Sequence, residues 1–149
     1  MGKRVFYLED QQFGGPMIRS IESKGNKVDW AQDVASACYY LEWEPGVSAY
    51  DYLIFDLGLP GGEVMHADGS VELYGDTDLA VGIEYIQKNY NLLCPAIEKE
   101  QVAILTGHSV QFSPQLKQVL EELNDGIKIQ KFDKASDDVT RQITRWLGL

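Results

Sequence analysis

The chain has 149 residues, of which 44% are hydrophobic and 24% are charged, and these fractions are ordinary for one globular domain that buries its own core. Its 13 basic and 23 acidic residues leave a formal net charge of -10, which opposes direct binding to nucleic acids. Two cysteines and only short apolar runs predict no disulfide framework, no signal peptide and no membrane anchor, so we expect a cytoplasmic protein.

Strand and helix patterns alternate along the whole chain. Short apolar runs bounded by turn residues predict five strands, at residues 4–8, 27–30, 51–57, 101–106 and 127–132. Apolar residues with helical spacing predict helices near residues 16–24, 34–41, 83–90, 116–123 and 139–147. This alternation predicts the doubly wound α/β class, a parallel sheet covered on both faces that binds ligands at the carboxyl ends of its strands. No repeat or linker divides the chain, so residues 1–149 are expected to form one domain.

Polar residues stand where the predicted strands end. Glu9 and Asp10 follow the first strand and Asp56 lies in the third, while Thr106 ends the fourth and Lys134 comes just after the fifth. Because parallel strands end at one edge of the sheet, we expect these side chains to converge. Three crowded carboxylates repel one another unless a cation lies among them, and Mg²⁺ prefers oxygen ligands. A carboxylate beside the metal can attack a phosphoryl group, whose oxygens a hydroxyl and a lysine would stabilise.

Four segments carry a family resemblance that covers nearly the whole chain. They are VFYLED at residues 5–10, YDYLIFDLGLP at 50–60, ILT at 104–106 and DK at 133–134. In this order they resemble the receiver domains of response regulators. The resemblance implies a flavodoxin-like (βα)5 fold and Asp56 as the phosphoacceptor, with Thr106 and Lys134 contacting the phosphoryl group. It also implies a Mg²⁺ site made by Glu9, Asp10, Asp56 and the backbone carbonyl of Gly58.

The sequence departs from the family pattern around its lysine. Ala135 stands where the family usually has proline, and Lys131 stands where it has an aromatic residue, with Phe132 one position away. Lys131 is an alternative for the family lysine if the fifth strand ends sooner. We prefer Lys134 because it directly precedes a plausible helix start at Ser136. These departures put in question whether phosphorylation is coupled to a distant surface in the usual way. They do not affect the positive charge that the lysine brings to the site.

Residues 61–78 form an insertion between the third strand and the third helix, where the family has a short loop. Asp68 and Gly69 lie between β-capable residues and predict a hairpin, with a disordered loop as the alternative. We expect the segment to leave the sheet beside Asp56 and to gate the site or contact a partner, and we expect its deletion to leave the fold stable. His66 and His108 are expected to be exposed loop residues without a role.

The expected function is that of a phosphoacceptor. A histidine kinase or a histidine phosphotransfer protein would supply the phosphoryl group, and a downstream protein would read the change. No enzymatic activity is expected beyond self-phosphorylation from a phosphodonor and autodephosphorylation. One alternative is a receiver-like interaction module that signals without phosphorylation. Another is a Mg²⁺-dependent phosphohydrolase, which Gly58 disfavours because that chemistry places a second aspartate there.

Overall fold

The computed structural model describes residues 2–10, 14–75, 81–106, 118, 121 and 129–148. The strands are β1 Arg4–Leu8, β2 Lys27–Ala31, β3 Tyr52–Asp56, β4 Gly62–Met65, β5 Val71–Tyr74, β6 Val102–Thr106 and β7 Gln130–Asp133. The helices are α1 Gly14–Glu22, α2 Val34–Cys38, α3 Val81–Lys88, α4 Tyr90–Glu98 and, near the carboxyl terminus, α5 Val139–Trp146. A π-helical turn, Tyr39–Trp43, continues α2, and a 3₁₀ turn, Val47–Ala49, precedes β3. The helix predicted at 116–123 falls almost entirely outside the described residues.

Five strands form one parallel sheet in the order β2-β1-β3-β6-β7, which confirms the predicted doubly wound α/β class. Alternate residues of each strand point to opposite faces, so a strand covered on both sides reads as a continuous apolar run. Val5 and Tyr7 pack with α1 and α5 on one face. Phe6 and Leu8 pack with α2, α3 and α4 on the other. Within the described residues, no helix is long and apolar enough to cross a bilayer.

Two helices, α3 and α4, occupy the place of the single third helix that the sequence predicted. Asn89 separates them, with a backbone that leaves the helical region at φ -112° and ψ 28°. Its side-chain amide donates to the carbonyl of Tyr85 and to the hydroxyl of Tyr74, both at 2.9 Å. An asparagine side chain that binds nearby backbone competes with helical hydrogen bonding. Tyr90 therefore begins α4 rather than completing the apolar edge of α3.

Strands β4 and β5 pair antiparallel, as the hairpin prediction expected. The turn places Gly69 at φ +88°, and the Asp68 carboxylate accepts a hydrogen bond from the Ser70 amide at 2.8 Å. One side of the hairpin is buried against the helices, with Val64 at 0% and Tyr74 at 2% exposure. The hairpin is therefore part of the core, which removes the basis for expecting its deletion to leave the fold stable.

Gly82 lets α3 begin directly against the end of β3. A Cβ at this position would lie 2.0 Å from the carbonyl oxygen of Asp56. We expect Gly82→Ala to lower the free energy of unfolding by about 1–3 kcal/mol, because backbone must move to admit the methyl group. Urea denaturation measures the change. Gly62→Ala is the control, since a Cβ there meets nothing within 4 Å, and equal losses in the two variants would contradict the close contact.

Candidate functional site

Two buried carboxylates meet at the carboxyl edge of the sheet. Glu9 follows β1 and is 0% exposed, and Asp56 ends β3 and is 2% exposed. Neighbouring β2 holds the backbone of Glu9, because the Glu9 amide donates to the Ala31 carbonyl at 2.9 Å and the Trp30 indole donates to the Glu9 carbonyl at 2.7 Å. Since β1 and β3 are adjacent parallel strands, the two acids lie side by side.

Lys134 forms ion pairs with both buried acids. Its Nζ lies 2.8 Å from Glu9 Oε2 and 2.9 Å from Asp56 Oδ2. The turn after β7 orients it, because the Asp133 carboxylate accepts a hydrogen bond from the amide of Ala135 at 2.8 Å. Lys131 lies within β7 and is exposed. The structure therefore brings Lys134, and not the alternative Lys131, to the carboxylates.

The structure describes the other predicted site residues, Asp10, Gly58 and Thr106, to different extents. Asp10 is exposed, yet it offers a carboxylate oxygen within 4.8 Å of oxygens from Glu9 and Asp56. The Gly58 amide donates to Asp56 Oδ1 at 3.3 Å, while a metal contact by its carbonyl stays a prediction. Thr106 ends β6 opposite Asp133, which is the expected edge, but its side chain lies outside the description. Its contact with a phosphoryl group also stays a prediction.

The electrostatics of the cluster favour a shared cation. Burial, followed by a hydrogen bond with Asp56, raises the pKa of Glu9 to about 7, while Lys134 acts in the opposite direction. Burial lowers the pKa of Lys134, but its hydrogen bonds to Asp56 and Glu9 outweigh that effect and raise it. Tyr7 donates from its buried hydroxyl to Glu9 Oε2 at 3.4 Å. One ammonium group thus faces two buried carboxylates and a third acid nearby, so an added cation would be stabilised.

Phe132 does not take the place of the aromatic residue that the family has three positions before its lysine. The ring of Phe132 is 7% exposed and packs on Trp146 of α5 at a centroid distance of 5.8 Å. The position three residues before Lys134 holds the exposed Lys131. This departure from the family pattern is therefore also present in the three-dimensional structure.

Sequence reasoning missed a second polar cluster, and the expectation that His66 is an exposed loop residue is wrong. His66 is only 7% exposed. Its Nδ1 lies 2.5 Å from Glu42 Oε2, and its Nε2 is hydrogen-bonded to Glu72 Oε1. Cys38 lies beside them, and we call Cys38, Glu42, His66 and Glu72 the His66 cluster. No short motif signals it, because its members come from α2, the π-helical turn and the hairpin. His108 lies outside the described residues.

A doubly wound five-stranded sheet with acids and a lysine converging at its carboxyl edge is the architecture of response-regulator receiver domains. No protein-family model and no curated protein sequence matches the chain. Solved structures do match it. A CheY-like receiver domain protein from Methanospirillum hungatei JF-1 is 16% identical with a TM-score of 0.64, covering 99% of this chain and 92% of that one. The chain therefore has the receiver fold over nearly its whole length.

Two further structures agree with this assignment of the fold. Chemotaxis protein CheY4 from Vibrio cholerae is 18% identical with a TM-score of 0.58, and the match covers 100% of both chains. A response regulator from Burkholderia pseudomallei is 19% identical with a TM-score of 0.61, covering 97% of this chain and 66% of that one. That structure contains a phosphorylated aspartic acid, a calcium ion and citrate.

Proposed function

We propose that this protein is a cytoplasmic phosphoacceptor receiver in which Asp56 takes a phosphoryl group and thereby switches a partner-binding surface. The observation that carries the proposal is the position of Lys134, whose Nζ lies within 3 Å of buried carboxylates from both Glu9 and Asp56. An acid, a second acid and a lysine on different strands are the groups that a metal-assisted phosphoryl transfer to a carboxylate needs. The receiver fold of the chain supports the same conclusion.

The donor set fits Mg²⁺ as the cofactor. Glu9, Asp10 and Asp56 each offer a carboxylate oxygen, and these oxygens lie within 4.8 Å of one another. Mg²⁺ takes one or two carboxylates and keeps several waters, so the site needs few further protein ligands. The backbone carbonyl of Gly58 is our proposal for one of them. When bound, Mg²⁺ would neutralise negative charge on the carboxylates and on the phosphoryl oxygens.

The chain's own residues account for the transfer step. A carboxylate oxygen of Asp56 forms the new bond to phosphorus, and the bond from phosphorus to the donor's imidazole nitrogen breaks. The imidazole leaves and takes up a proton from solvent. Lys134 supplies a positive charge in the pocket, and its Nζ, 2.9 Å from Asp56 Oδ2, can bind an oxygen of the transferred phosphoryl group. We assign the Thr106 hydroxyl to a second phosphoryl oxygen. The donor is a histidine kinase or a histidine phosphotransfer protein.

Intact mass spectrometry after incubation with acetyl phosphate tests the proposal. We expect Mg²⁺-dependent gain of one phosphoryl group, because small phosphodonors need only the acceptor site and its cation. Asp56→Asn should abolish the gain, and Asp137→Asn, which changes an exposed carboxylate, should keep it.

Each other outcome points to a different function. A wild-type chain that gains no mass would favour the interaction module that signals without phosphorylation. Lys131 and Ala135, where the sequence departs from the family pattern, are consistent with that function. Equal labelling of the Asp56→Asn variant would show that another residue is the acceptor. Continuous release of phosphate from a generic phosphate ester would favour the phosphohydrolase.

A further inference from the structure

The His66 cluster brings three different metal-ligand types together, separately from the acidic cluster of Glu9, Asp10 and Asp56. Cys38 ends α2, Glu42 lies in the π-helical turn, and His66 follows β4. The Cys38 Sγ lies 2.8 Å from Glu42 Oε2 and 3.9 Å from His66 Nδ1. His66 Nδ1 lies 2.5 Å from the same Glu42 oxygen. A thiol, a carboxylate and an imidazole thus lie within 3.9 Å of one another.

We propose that Cys38, Glu42 and His66 bind a Zn²⁺ ion at a site distinct from the acidic phosphorylation site. Thiolate sulfur, imidazole nitrogen and carboxylate oxygen are the ligands that Zn²⁺ takes in proteins, and three protein ligands leave a fourth position for water. Mg²⁺ does not fit, because it avoids sulfur and nitrogen ligands. The acidic cluster offers only oxygen, so the two sites differ in the metals they select.

The sulfur–nitrogen distance is close to that of a tetrahedral zinc site, whereas the Glu42 oxygen lies too near both other ligand atoms. Ordinary Zn–S, Zn–N and Zn–O bonds place the sulfur about 3.6 Å from the nitrogen and the nitrogen about 3.3 Å from the oxygen. The observed sulfur–nitrogen distance is 3.9 Å. The Glu42 oxygen lies 2.5 Å from the nitrogen and 2.8 Å from the sulfur, so Glu42 must withdraw by about 0.8 Å from each when an ion replaces the protons between them. A side-chain rotation in the partly exposed Glu42 accommodates that movement.

Glu72 prepares the histidine for this role. It binds His66 Nε2 from β5, so the Nε2 proton is held there and Nδ1 faces Cys38 and Glu42. A carboxylate behind a histidine ligand orients the ring and increases its basicity. Lys88 of α3 lies 3.7 Å from the other Glu72 oxygen and fixes that carboxylate in turn. The orienting contact that protein zinc sites use is therefore present.

Protons balance when the ion binds. Burial, together with the adjacent Glu42, raises the pKa of the Cys38 thiol to about 12, so the thiol is protonated without a metal. Burial lowers the pKa of His66, but Glu42 and Glu72 outweigh this and raise it, which favours the imidazolium. One Zn²⁺ enters, and one proton leaves Sγ and one leaves Nδ1. Zinc therefore competes with these protons for the ligand atoms, and its affinity should depend on pH.

The ion would tie the hairpin to α2. Cys38 and Glu42 belong to the α2 segment, whereas His66 and Glu72 belong to the hairpin. Apolar packing and hydrogen bonds link these segments, including a hydrogen bond from the Cys38 thiol to the Met65 carbonyl at 3.3 Å. Metal–ligand bonds across the same gap would hold the two segments together more firmly. Zn²⁺ should therefore stabilise the full chain.

Titration of the full chain with Co²⁺, followed by absorbance, tests the site. Cobalt replaces zinc in such sites and shows a thiolate-to-metal charge-transfer band only when a cysteine binds it. We expect one Co²⁺ per chain with that band, which Zn²⁺ then displaces. Cys38→Ser should remove the band, and His66→Asn should weaken binding at least tenfold. Cys94→Ser is the matched control, because Cys94 lies on α4 outside the cluster and should keep the full band.

Two results would overturn the proposal. One is a wild-type chain without the charge-transfer band, and the other is a band that survives in Cys38→Ser. Asp56→Asn should leave the band unchanged, because the acidic site offers only oxygen ligands and cobalt bound there gives no thiolate charge-transfer band. Circular dichroism of Cys38→Ser checks that the variant is folded. If Cys38→Ser is not folded, Glu42→Gln takes its place as the test variant. We expect Glu42→Gln to weaken Co²⁺ binding at least tenfold, as His66→Asn does.

Discussion

Replacing Lys134 by alanine is expected to lower the free energy of unfolding by about 3 kcal/mol and to abolish labelling of Asp56. The Lys134 side chain is 15% exposed, and its partners Glu9 and Asp56 are 0% and 3% exposed, so water cannot replace the lost ammonium group. Two buried carboxylates are then left without their shared cation. Urea denaturation measures the stability, and intact mass after acetyl phosphate treatment measures the labelling.

Lys131→Ala is the matched control for this prediction. It removes an exposed lysine from the same region of the chain, so we expect a change within about 0.5 kcal/mol and unaltered labelling. Similar losses in the two variants would show that the alternative assignment of the lysine is correct or that the charge at the site is unimportant.

The loss in Lys134→Ala should also depend on pH. The folded-state pKa of Glu9, about 7, lies above its ordinary value, so the stability linked to its proton is present below pH 4.5 and is lost as the pH rises through 7. Lys134 lowers that pKa, and its removal therefore moves the loss to higher pH. We expect the variant to lose more free energy of unfolding, relative to the wild type, at about pH 8 than at about pH 5. At about pH 5 a proton shared between Glu9 and Asp56 replaces the ammonium group. The opposite order would contradict the proposed coupling.

Replacing Tyr74 by alanine is expected to cost about 3–5 kcal/mol of stability, the range for truncating a large buried aromatic residue. Tyr74 is 2% exposed, packs on the ring of Tyr85 at 5.9 Å and accepts a hydrogen bond from Asn89 at 2.9 Å. The alanine variant loses this packing and leaves a cavity between the hairpin and α3. Thermal and urea denaturation measure the effect.

Leu73→Ala is the control for the hairpin. It lies next to Tyr74 on β5 but points outward at 54% exposure, so we expect a loss below about 1 kcal/mol. Tyr74→Phe separates packing from the hydroxyl, and the loss of one hydrogen bond should cost about 1 kcal/mol. If Tyr74→Ala were as mild as Leu73→Ala, the hairpin would be dispensable for stability, as the sequence alone suggested.

The sequence by itself determined the sheet and the acids at its edge. Runs such as 4–8 and 51–57 are apolar at nearly every position, which only strands covered on both faces require, and β1 and β3 formed there. Parallel strands end at one edge, so the order of Glu9, Asp56 and a lysine near the fifth strand was enough to predict that acids and a lysine meet there. Chain order alone could not choose between Lys131 and Lys134, since a shift of a few residues at a strand end changes the side chain that faces the site.

Only the tertiary structure decided which side chains outside the strands are buried. Asn89 divides α3 from α4 through contacts with Tyr85 and with Tyr74 on the hairpin, and the helical spacing of nearby residues shows neither contact. His66 and Cys38 are 28 positions apart, so no local pattern signals that they touch. Strand periodicity is a property of neighbouring residues, whereas the His66 cluster and the buried face of the hairpin arise where distant segments pack. The physical reason is that burial depends on what covers a residue, and the covering residues lie elsewhere in the chain.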